Sequence, residues 1–116
     1  MKPASILTPE YMSILYTAFK QIPPFDVYPL PHASKVKFKV IKNPHVHGHF
    51  DAEHIAIEIS SGACIHFDVI QSTLLHEMTH MALYVVGDKS YGNHGKAFNK
   101  IRDAYAKMYN LDPRSI

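Results

Sequence analysis

Met12, Leu15, Phe19 and Ile22 recur at intervals of three and four, which places apolar side chains on one stripe of a helix. The spacing predicts a helix over residues 9–21, with Thr8 as N-cap, Pro9 at the first position and Glu10 near the positive end of the dipole. Pro23 and Pro24 end it. Residues 23–34 contain four prolines and read as an extended, ordered loop, with Phe25, Tyr28 and Leu30 packed over the edge of the core. The period then shortens to two. Residues 35–42 alternate strictly, with Val36, Phe38 and Val40 inward and Lys35, Lys37 and Lys39 outward, the pattern of a half-exposed strand. Asn43-Pro44 marks a turn. A second alternation over residues 53–60 turns Ile55, Ile57 and Ile59 inward before Ser60-Ser61-Gly62 breaks it.

Residues 74–86, LLHEMTHMALYVV, follow neither rhythm, being apolar on almost every side. A helix of that kind is buried in a core rather than laid on a surface. His66 precedes it in a surface or capping role, and Asp68 suits its first turn. Gly87 fits the position just past its end, and residues 87–93 form a loop that reverses the chain. A last helix over residues 95–109, with Asn93 as N-cap, carries Ala97, Phe98, Ile101, Ala104, Tyr105 and Met108 on its apolar stripe. Lys96, Lys100, Arg102 and Lys107 face water. The elements predict an α+β fold: an N-terminal helix, a small sheet of about three strands, then two helices, in one domain spanning residues 1–116.

Inside the apolar helix stand His76, Glu77 and His80, in the pattern His-Glu-x-x-His. Burying two imidazoles and a carboxylate is costly unless something compensates them. A metal ion compensates all three. On a helix His76 and His80 are one turn apart on the same face, while Glu77 borders that face, placed to reach a water rather than the ion. Zinc so held polarises a substrate carbonyl and acidifies a water, and Glu77 can take that water's proton and return it to the leaving amine.

Zinc sites of this type need a third protein ligand. No glutamate follows Glu77, and Leu83 and Val86 occupy the positions where the metzincin pattern requires Gly and His. His94 is the remaining downstream histidine, with Asp88, Asp103 and Asp112 as carboxylate competitors. His94 is the candidate favoured by zinc's ligand preferences. The expected site is therefore His76, His80 and His94 on the metal with Glu77 as general base. Tyr91, in the loop between, is a candidate to stabilise an oxyanion or simply a packing residue. His45, His47 and His49 alternate and could share a strand face as a second metal site; the simpler reading is a polar hairpin with exposed histidines.

These residues resemble the SprT-like metalloprotease domain, which pairs H-E-x-x-H with a downstream H-G-x-x-F. Here those motifs are His76 to His80 and His94-Gly95-Lys96-Ala97-Phe98, and the stretch from Gly48-His49-Phe50 through Ile55 to Ser60 is similar to the strands that precede the helix there. The resemblance covers about residues 10–109. It implies a zincin-like fold, a zinc cofactor with His94 as third ligand, peptide-bond hydrolysis of a protein or peptide substrate, and the strand over residues 53–60, or its neighbour, as the platform for extended substrate. Many members carry a C-terminal zinc ribbon or long tails that bind DNA or partners, so DNA-associated protein substrates and a DNA partner are a further, weaker implication of the resemblance. One cysteine, Cys64, cannot build a four-cysteine ribbon within these residues, so the resemblance extends to the core and not to the targeting equipment.

Composition changes this picture little. A net charge of +2 is too small to argue for nucleic acid, and the lysines over residues 35–39 are more simply guards of an exposed strand than a phosphate stripe. A single cysteine excludes an internal disulfide and fits a reducing compartment. With no secretion signal and no apolar run near the ~20 residues of a membrane span, the expectation is a cytoplasmic protein without a membrane partner. Two other functions compete with proteolysis. One is a scaffold or binding protein that keeps zinc for stability. The other is a small three-histidine endoribonuclease, but that arrangement puts its third histidine where Val86 stands. Composition and spacing leave the oligomeric state open.

Overall fold

The computed structural model describes residues 6–64 and 66–112, and every structural statement below concerns these residues. Helix α1 (Pro9–Phe19) begins where Thr8 Oγ1 accepts the Tyr11 N–H at 3.1 Å, with Pro9 opening its first turn. It buries Met12, Tyr16 and Phe19 and stops short of residue 21. The proline-rich segment that follows is held by two 3-10 turns, Phe25–Val27 and Ala33–Lys35. Phe25 is completely buried and stacks on Tyr105 with ring centroids 5.8 Å apart, so it is a central core residue rather than an edge one.

Three strands form the sheet: β1 (Lys37–Ile41), β2 (Gly48–Asp51) and β3 (Ala56–Ser60). Their order is β1-β3-β2, with β1 parallel and β2 antiparallel to β3. The first strand begins two residues later than its alternation predicts. The N–H groups of Lys35 and Val36 are taken by the carbonyls of His32 and Ala33 at 2.8 and 3.1 Å, which winds them into the preceding turn. Ile55 likewise lies outside β3. Its φ of 48° makes it the reversing residue of the β2–β3 connection, and its carbonyl accepts the Lys37 N–H at 3.0 Å. Only Ile57 and Ile59 supply the expected buried isoleucines.

Register assigns the two faces. Phe38, Ile57 and Phe50 stand side by side across the sheet, as do Val40, Ile59 and Gly48. Phe38 meets Tyr16 of α1 and Phe50 meets Tyr84, so the helices cover this one face. The opposite face carries the neighbouring row Lys39, Glu58 and His49.

Helix α2 (Phe67–Val85) crosses the covered face and buries Leu74, Leu75, Met78, Met81 and Ala82 completely. Asp68 sits in its first turn, while His66 takes the N-cap position without a side-chain cap. The far end closes as a Schellman motif: Asp88 N–H reaches Leu83 O, Gly87 N–H reaches Tyr84 O, and Gly87 adopts φ 77°. Helix α3 (Lys96–Met108) buries Phe98, Ile101, Tyr105 and Ala106. Gly95, not Asn93, is its N-cap residue, because the Gly95 carbonyl accepts the first intrahelical bond, from Asn99 N–H at 2.9 Å, while Asn93 lies in the preceding turn. Met108, expected on the apolar stripe, is exposed. The described residues form an α+β fold with α1 and α2 on one face of a mixed sheet and α3 packed against α2. None of the helices is long and apolar enough to cross a membrane.

Candidate metal centre

Helical geometry puts His76 and His80 on one side of α2, with ring centroids 5.0 Å apart. The Schellman turn and the loop after it return the chain along the same side, and His94 arrives at 4.7 Å from the His76 ring and 5.0 Å from that of His80. One ligand atom from each imidazole lies within 4.8 Å of the others. Nε2 of His80 is 3.1 Å from Nε2 of His94, close to the roughly 3.3 Å that separates two nitrogens on a tetrahedral zinc with ~2.05 Å bonds. Phe98, buried and one turn into α3, lies against all three rings at 4.6–4.9 Å. Packing of this residue into the core fixes where His94 can be.

Two observations suit these imidazoles to metal. His80 Nδ1–H donates to the Tyr91 carbonyl at 2.6 Å, which leaves the Nε2 lone pair directed at the cluster. Burial, followed by the neighbouring His80 and His94, lowers the His76 pKa to about 4, so the ring is neutral at pH 7 as a ligand must be. His80 is lowered too, first by burial.

Glu77 is 6% exposed, and burial pushes its pKa up to about 8. A cation beside it would reverse that shift. The group against which it lies is the backbone of β2. A Cβ on Gly48 would come within 2.7 Å of Glu58 O, 2.8 Å of Thr73 Cγ2 and 3.3 Å of Glu77 Oε2. The missing side chain lets β2 pass close to α2 at the level of the carboxylate. Gly48→Ala should therefore cost about 1–3 kcal/mol of stability by overpacking, read as a lowered denaturation midpoint at unchanged m-value.

The other sequence candidates lie elsewhere. Asp88 accepts hydrogen bonds from the Ser90 N–H and hydroxyl, and Asp103 pairs with Arg102. His45, His47 and His49 are exposed, and none of them joins a group close enough to share an ion. Asp51, Glu53 and His54 do approach one another in the β2–β3 turn, where His54 Nδ1 contacts Asp51 Oδ2 at 2.7 Å, but they are solvent-facing. The Tyr91 ring packs edge-on against Tyr84 at 5.0 Å. Its contribution to the centre is the carbonyl on His80, which residue-type reasoning could not find.

The model of the SprT-like family matches residues 30–115. The chain belongs to the SprT-like family. Neither the curated proteins nor the solved structures searched contain a match. The matched region includes all three strands, α2 and α3, so it contains every residue of the SprT-like centre described above.

Proposed function

We propose that this SprT-like domain is a zinc-dependent metallopeptidase, with His76, His80 and His94 holding the ion and Glu77 as general base. The observation that carries the reading is the convergence of three imidazoles, two of them from α2, beside a buried carboxylate of that helix. Three histidines are a hydrolytic zinc's protein donor set and leave one position for water or substrate. When bound, zinc supplies Lewis-acid polarisation of a peptide carbonyl and of a water molecule. Glu77 removes the proton from that water as it attacks, and delivers it to the departing amide nitrogen as the C–N bond breaks. The Tyr91 carbonyl holds His80 in the tautomer that ligation needs.

The sheet supports a peptide substrate. β2 is an edge strand, and Ser60 N–H donates to His47 O at 2.8 Å across the β2–β3 pair. In an antiparallel ladder this fixes Gly48 and Phe50 as the β2 residues whose N–H and C=O point away from β3. An extended chain can add there, alongside Glu77.

Purified protein should contain about one zinc per chain, and a chelator should abolish cleavage of an unfolded protein substrate, with one equivalent of zinc restoring it. Metal-loaded protein that neither cleaves nor binds a zinc-ligating hydroxamate has a closed, structural site, and the proposal is then wrong.

A further inference from the structure

Most of α2 around the histidines is buried, but Tyr84 is 36% exposed. It follows His80 by one turn, about 6 Å further along the axis and close to the same face. Its ring is pinned on two sides. Phe50, itself buried, meets it edge-on at 5.7 Å, and Tyr91 does so at 5.0 Å. Each partner is also tied to the centre. Phe50 lies two residues beyond Gly48 on the strand that passes Glu77, and Tyr91 is bonded through its carbonyl to His80. The exposed part of Tyr84 is thus a rigid aromatic surface between the open edge of β2 and the loop that carries His94.

Resting on the metallopeptidase reading, we propose that Tyr84, braced by Phe50 and Tyr91, forms a side-chain subsite that selects an aromatic or large aliphatic residue of the substrate. An extended peptide advances about 3.4 Å per residue, and alternate side chains share a face. The 6 Å offset therefore corresponds to two residues along the peptide from the one at the metal, towards the Phe50 end of β2. A fixed ring offers such a side chain edge or face contact without first losing its own rotamer freedom. Small or acidic side chains gain little there.

The test uses the zinc-loaded protein and two hydroxamate peptides, identical except for phenylalanine or alanine two residues from the hydroxamate. Affinities are measured by calorimetry, so no turnover is required. The phenylalanine peptide should bind about 10- to 30-fold more tightly to the parent, the scale of an apolar subsite. Tyr84→Ala should bring the ratio close to one, and Tyr84→Phe should keep it. Tyr84 ring resonances in the parent should shift with the phenylalanine peptide and not with the alanine one, a readout independent of whether the alanine variant folds. Equal affinities in the parent, or resonances that respond alike to both peptides, overturn the subsite and leave the metallopeptidase reading standing. Failure of both peptides to bind the zinc-loaded parent overturns both.

Discussion

On the proposed mechanism, Glu77→Gln will reduce cleavage by about 10²- to 10⁴-fold while leaving zinc bound, because there the carboxylate acts on the proton and not on the ion. Zinc analysis and turnover on one preparation check both halves. Undiminished cleavage would refute the assigned base. The same substitution has a second signature in metal-free protein. Burial raises the Glu77 pKa from 4.5 to about 8, so between those values the folded chain keeps a proton that the unfolded chain has lost. The stability this group contributes is complete below pH 4.5 and disappears as pH rises towards 8. His76, lowered to about 4, acts in the opposite sense, but only between about 4 and its ordinary 6.5. Above 6.5 the carboxyl acts without that opposition. Metal-free parent should lose about 2 kcal/mol of stability between pH 6.5 and 8. Glu77→Gln should lose almost none, as denaturant unfolding at the two pH values will show.

His94→Ala will weaken zinc binding by about 100-fold. Apparent zinc-binding energies near 10–16 kcal/mol for four-ligand sites correspond to roughly 3 kcal/mol for each donor. The fold should survive, since His94 is exposed and the anchor of α3 is Phe98. Competition against a chelator of known affinity measures the loss, and circular dichroism checks the fold. Unchanged affinity would mean that another group completes the site.

The helical half of the centre was legible because its geometry is local. A spacing of four on one rigid helix determines where His76 and His80 point, whatever the chain does elsewhere. His94 could be found by elimination among donors, since the chain offers few after Glu77. Backbone groups escape such reasoning. Any residue at position 91 brings a carbonyl, so nothing in the letter Tyr shows that it orients His80. Gly48 was visible only as part of a short strand resembling the family's, and its reason is a close approach between elements far apart in sequence. Alternation showed which side chains of β1 and β3 share a face but not that the strands are parallel neighbours, because period two specifies sides and not partners. Asn93 and Ile55 were misplaced for a common reason. Each lies in a tight turn next to the element it was expected to join.

The free edge of β2 is only four residues long, and two of them direct hydrogen-bonding groups outward. Four backbone hydrogen bonds at about 1 kcal/mol each do little more than match the lowest estimates of the entropy lost on association, some 4 kcal/mol. A polypeptide that drifts onto this edge therefore leaves quickly. One already tethered nearby, at an effective concentration in the millimolar range, returns over and over. On the metallopeptidase reading, such an edge would favour a substrate held beside it over the freely diffusing majority of proteins.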